Sequence, residues 1–337
     1  GSPRKNHARS GFTPVSRMKT IAALSAGAFL FVMSLMAGPK IYSPAELWNM
    51  LVLGADERAR SVIMGLRLPR ILMALGVGAS LSVSGAVFQA ILKNPLADPY
   101  LIGVSSGAAC GAAAAIVLGL GYFWVAAFSF AGSLGVITGV FLISRRMKLG
   151  GSSLILSGVS LGFILSSAVL MIFFLAGPGK VHQAVMWMMG DFSAARYDML
   201  AYMGAFCALL IAFVALYARH LDVISMGDLY AQNLGVTPAS VRALFWAAAL
   251  LASICVSLCG VIGFVGLIIP HAVRKAVGPG HSSLVPWAAA AGGVFLMAAD
   301  AVGRSVVRPY DLPVGIITGF AGGIFFLLFV ARGREYR

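Results

Sequence analysis

Long apolar runs separated by short polar breaks repeat along almost the whole chain, and the pattern predicts ten helical spans. They cover roughly residues 20–37, 68–92, 100–118, 123–143, 153–176, 199–218, 240–259, 261–277, 284–303 and 314–331. Runs of about 20 residues at ~1.5 Å per residue cross a ~30 Å hydrocarbon layer. The eighth run is short, and almost no turn separates it from the seventh. One stretch, Arg219 to Arg242, is polar yet keeps helical order. Within it Met226, Leu229, Tyr230 and Leu234 share one face of a short helix, and Ser225 with Asp228 reads as a variant capping box around Gly227. Gly235 supplies a left-handed stop, and Thr237 with Pro238 opens the next helix. Such an element is either a docking surface at the mouth of the bundle or a well-capped interfacial helix with no partner.

Composition agrees with the pattern. The 337 residues are 60% hydrophobic and only 11% charged, against about 25% charged in a soluble domain, and mean hydropathy is +0.92. The chain therefore reads as an all-α polytopic membrane protein. A single domain covers 19–337, with the polar loop at 219–239. Ahead of it lies a basic tail over 1–18 whose Gly1 and Ser2 look like an expression scar. The apolar run Ile21 to Ala37 is longer than a signal-peptide core and no small-x-small site follows, so it is expected to be retained as a span.

The net charge of +14 sits in short blocks between spans. No basic face alternates with aromatics, which excludes a nucleic-acid platform. With alternate gaps assigned to opposite sides, sixteen of the 25 Lys and Arg fall on one side. Among them are the tail, Lys93, Arg145, Arg146, Lys148, Arg219, Arg242, Arg274 and Lys275. That bias places both termini in the cytoplasm.

Candidate chemistry is sparse. Cys110, Cys207, Cys255 and Cys259 lie in apolar runs with no His or carboxylate beside them, so no metal site is expected. Gly177 to Lys180 lacks the spacing of a phosphate loop, so any ATP must bind elsewhere. Gly103 to Gly107 matches GxSxG but falls in a helical run far from any histidine, against a hydrolase. Asp300 and Arg304, at i and i+4, read as a local pair. A carrier driven by an ion gradient is the alternative function, and it would call for midplane carboxylates or broken helices that the sequence does not offer. Arg67 and Arg70 share a face at the outer entrance of the second span, and Arg304 and Arg308 stand at the outer exit of the ninth. These are either headgroup anchors or docking points for an acidic partner. Small residues crowd the second and third spans (Gly76, Gly78, Gly85, Gly107 and Gly111 among them). They mark tight helix contacts or, less simply, a path lined by hydroxyls.

Three blocks carry a resemblance. Gly65 to Ala112, with NPLADPYLIGVSSGAA at its heart, Gly260 to His281 (GVIGFVGLIIPHAVRKAVGPGH) and Asp311 to Gly323 (DLPVGIITGFAGG) are together similar to FecCD-type permeases. These are the membrane subunits of ABC importers for iron-siderophores, haem and cobalamin. The resemblance implies the type II importer fold of the cobalamin permease, with ten spans in the bacterial inner membrane. It also implies a homodimer with the path at its interface, two ATP-binding subunits below and a periplasmic or surface binding protein above. ATP and Mg would sit on those subunits; this chain would hold no cofactor and catalyse nothing. By the same resemblance Ser225, Met226, Gly227, Asp228, Leu229, Tyr230, Leu234 and Gly235 couple to the ATPase. Arg67, Arg70 and Arg304 dock the binding protein, and Gly150, Gly151, Ser152 and Ser153 form the inner gate. Ferric siderophore is the first-choice cargo, with haem and cobalamin next.

Overall fold

A computed structural model describes residues 14–54, 56–147, 151–307 and 310–332; the tail ahead of Pro14, together with Gly150 and Arg308, lies outside them. Among the described residues every regular element is helical. The first part of the chain forms α1 (Pro14–Met36), α2 (Pro44–Trp48), α3 (Glu57–Val62), α4 (Leu68–Ile91), α5 (Val104–Val117) and α6 (Tyr122–Met147). Then follow α7 (Gly151–Leu175), α8 (Pro178–Met188), α9 (Tyr197–Leu216), α10 (Ala218–Met226) and α11 (Asp228–Asn233). The chain closes with α12 (Pro238–Cys259), α13 (Val265–Val277), α14 (His281–Val306) and α15 (Val314–Arg332).

Local chemistry sets these boundaries. Ser43 opens α2 through a reciprocal capping box with Glu46. The Thr237 hydroxyl accepts the Ser240 N–H at 3.2 Å to start α12, with Pro238 in its first turn. Thr237→Ala is expected to lower stability by about 1 kcal/mol, measurable as a small drop in melting temperature in detergent.

Six helices of the described residues are long and apolar enough to cross a membrane, while Ile21–Met36, Val104–Val117 and Val314–Leu328 are shorter apolar stretches. Two predicted spans come out differently. The third is broken at Gly103, whose φ of 84° ends a 3-10 turn (Pro99–Ile102) before α5 begins. Gly103 and Ser105 therefore sit at a turn and a helix start, not inside a helical run. The eighth begins only at Val265, because Phe264 adopts a left-handed φ of 70°, and α13 keeps 13 residues. At ~1.5 Å per residue neither α5 nor α13 spans ~30 Å unaided.

The centre of the bundle is α4. Most of the Glu57–Ile91 helix, 78% of its most apolar window, is buried, against 11% for α7. Its small residues let backbones meet: a Cβ on Gly78 would lie 2.2 Å from the Gly292 carbonyl of α14. Polar ties reinforce the contact, with Ser84 Oγ donating to the Ala248 carbonyl of α12 at 2.7 Å. Near the other end of α4, Phe88 meets Phe245 edge-on, ring centres 5.6 Å apart.

Candidate functional site

The polar elbow between α9 and α12 folds as two short helices. Gly227, at φ 127°, kinks the chain between α10 and α11. Leu221, Ile224 and Ala231 turn inward, while Met226, Leu229, Tyr230 and Leu234 are 63–77% exposed. The predicted apolar face thus exists and faces away from the core. Gly235 takes the left-handed conformation (φ 80°) as its position requires. The predicted capping box does not form. Ser225 still belongs to α10, where its hydroxyl donates to the Asp222 carbonyl at 2.6 Å, and the cap of α11 is Gly227. Asp228 instead pairs with Lys93, just past the end of α4, at 2.6 Å.

Asp222 ties the elbow to α14. One carboxylate oxygen accepts the backbone N–H of His281, the first residue of α14, at 2.7 Å and lies 2.7 Å from Nδ1 of the same residue. A carboxylate at a helix N-terminus satisfies an orphan N–H and the dipole together. On the elbow's other side lies a cavity of about 470 Å³ bordered by Phe141, Ser144, Leu154, Asp228, Ala231 and Arg242. The expected gate adjoins it. Ser153 is buried and its hydroxyl bonds that of Ser144, joining the end of α6 to the start of α7. Gly151 opens α7, Ser152 is exposed, and Gly150 lies outside the described residues.

At the opposite end of α4 the expected docking arginines are not offered to the outside. Arg67, Arg70 and Arg304 are all buried, which corrects the picture of surface cations. Arg70 is the hub: Nε contacts Asp300 at 2.8 Å, one terminal nitrogen Asp311 at 2.7 Å and the other Asp191 at 3.3 Å. Arg304 pairs with Asp300 at 2.9 Å, the local pair read from the sequence, and also donates to the carbonyls of Ser34 and Ala37. Arg67 donates to the carbonyls of Leu35, Met36 and Lys40 and lies over the Tyr42 ring at 4.8 Å. Two arginines therefore close the C-terminal end of α1, where carbonyls lack helical partners and the dipole attracts cations. Their partners are backbone oxygens up to 270 residues away, invisible to side-chain pattern reading. Asp191 and Asp311, by contrast, keep their carboxylates partly exposed.

Sequence reasoning missed Asp222, His281, Lys93, Asp191 and Asp311. For Asp222 a faint signal existed, a carboxylate within the polar stretch, but its partner is 59 residues on.

A comparison with protein-family models matches residues 26–332 to the FecCD transport family. The hemin transport system permease protein HmuU of Yersinia pestis is 34% identical over 299 residues, 86% of this chain and 88% of that one. The cobalamin import system permease protein BtuC of Halobacterium salinarum is 40% identical, covering 85% and 78%. The Fe(3+)-citrate import system permease protein YfmE of Bacillus subtilis is 34% identical, covering 88% and 90%. Among solved structures, a metal-chelate type ABC transporter in an inward-facing conformation superposes with TM-score 0.83 at 31% identity, over 94% of this chain and 99% of that one. PsaBC of Streptococcus pneumoniae, at 17% identity and TM-score 0.55, shares the fold alone. The chain belongs to the FecCD transport family and is a multi-pass membrane protein of that ABC importer permease family.

Proposed function

We propose that this chain is the permease half of an ATP-driven importer of a metal chelate, working as a homodimer with the path between the two copies. A ferric siderophore is the favoured cargo, with haem and cobalamin next, in keeping with the hemin, cobalamin and ferric-citrate relatives. The observation that carries the proposal is the exposed apolar face of the elbow. Four large side chains stand clear of the core on a short, well-held helix pair. An apolar cluster of this kind on a polar segment marks a protein contact. The partner is an ATPase subunit that holds ATP and Mg, so this chain binds no cofactor of its own.

Two further features support the reading. Among the described residues little covers α7, leaving room for a second copy. Beside it, Ser105, Ser106 and Ser166 border a groove of about 380 Å³, a hydroxyl-bearing wall for a path. The binding protein meets the end held by Arg67, Arg70 and Arg304, which act there by shaping the rim of loops around Lys40, Asp191 and Asp311.

The test is uptake in vesicles holding the permease, its ATPase and its binding protein. Leu229→Asp with Tyr230→Ala removes two exposed anchors, each worth about 2 kcal/mol if it is an interface hot spot. Capture of the ATPase is expected to weaken at least about thirtyfold and uptake to fall with it, while melting of the permease alone stays put. Full ATP-driven uptake by that variant would remove the reading.

A further inference from the structure

The elbow is held asymmetrically. Towards α14 it is clamped, with two contacts of 2.7 Å from Asp222 to His281. His281 is 3% exposed. Leu221 and Ile224, on α10 with Asp222, are buried. Lys93 and Asp228 add a tie to the end of α4. Towards α6 and α7, among the described residues, a cavity of about 470 Å³ is bordered by Gln232 and Ala231 on the elbow and by Phe141 and Leu154 on α6 and α7.

The helices so clamped are themselves locked together. A Cβ on Gly292 would lie 2.3 Å from the Gly78 carbonyl, and one on Gly293 2.9 Å from that of Leu75. At these glycines backbone meets backbone directly, with Ser82 and Leu296 packed alongside. The far end of the same pair is pinned by Arg70 and Asp300 at 2.8 Å.

We propose that Asp222 and His281 are positioning residues that make the elbow and the α4–α14 pair one moving body, so that a push on the elbow is delivered along that pair to the opposite face while α6 and α7 move relative to it across the cavity. This rests on the importer reading of the elbow. Asp222 touches no cargo and no nucleotide in this scheme; it fixes which helices follow the stroke.

The experiment uses the whole transporter in vesicles and the double variant Asp222→Cys/His281→Cys, with the oxidised native permease controlling for its own four cysteines. With the thiols reduced, ATP hydrolysis is expected to continue while uptake per ATP falls at least threefold. Closing the pair with oxidant or a short bis-thiol reagent is expected to restore more than half of native uptake. Asp222→Asn, which still accepts the His281 N–H, is expected to lose less than Asp222→Ala. Bridging the cavity instead, with Leu154→Cys/Gln232→Cys, is expected to cut uptake at least tenfold. Native uptake by the reduced Asp222/His281 variant, no rise on closing it, or an unaffected cavity bridge would each overturn the clamp. Absence of uptake by the native transporter would remove the importer reading, and the clamp with it; that result is separate from failure of the closed variant alone.

Discussion

Arg70→Met is expected to leave little folded protein. Arg70 balances three carboxylates, and one of them, Asp300, is 1% exposed. Removing one partner of a buried ion pair costs up to about 3–5 kcal/mol, a large part of a typical stability of ~5–15 kcal/mol; here Asp300 is left to Arg304 alone, and the tie from α4 to Asp191, Asp300 and Asp311 is lost. Arg70→Lys recovers only part of this, because one ammonium cannot reproduce the planar fork that reaches Asp300, Asp311 and Asp191 together. Adding Asp300→Asn to Arg70→Met also takes the carboxylate away from buried Arg304 and is expected to lower stability further. Arg304 then leans on the carbonyls of Ser34 and Ala37. Yield and melting temperature in detergent are the measurements. A native melting temperature for Arg70→Met would mean that the network does not hold this end of the bundle together.

The second large effect is expected at Gly85. A Cβ there would lie 1.9 Å from the Gly266 carbonyl oxygen and 2.5 Å from its Cα. Both neighbours are backbone, so no rotamer change relieves the clash. Gly85→Val forces α13 off α4 and is expected to exceed the usual ~1–3 kcal/mol of overpacking. The displacement also disturbs Gln89, whose amide donates to the Gly266 and Leu267 carbonyls and whose oxygen accepts from Arg274. Gly204→Ala in α9 is the control, since a Cβ there meets nothing within 4 Å. It is expected to be neutral or mildly stabilising, because Ala outranks Gly in a helix by roughly 1 kcal/mol. Equal melting temperatures for the Gly85 and Gly204 variants would refute the close approach.

How far the elbow was legible from sequence depends on the kind of signal. The exposed face of Met226, Leu229, Tyr230 and Leu234, the stop at Gly235 and the start at Thr237 are all local. Each depends on residues within two turns, so spacing alone locates them. The capping box at Ser225 misled because the same spacing suits a hydroxyl bonding back within its own helix, which is what it does. The ten-span count met a similar limit. Hydropathy sees apolar runs, but the breaks at Gly103 and Phe264 come from backbone conformation.

The sequence by itself determined the helical, membrane-spanning class, the polar elbow and its outward face, and the resemblance that led to the family, because periodicity, capping and ordered motifs are short-range properties. Only the tertiary structure decided what the arginines and Asp222 do. Arg67 and Arg304 close the end of α1, Arg70 gathers carboxylates from three separate segments, and Asp222 caps a helix 59 residues away. A charged side chain near the membrane takes whichever partner the fold brings within reach, and most of those partners are backbone atoms or distant carboxylates that leave no trace in the local pattern.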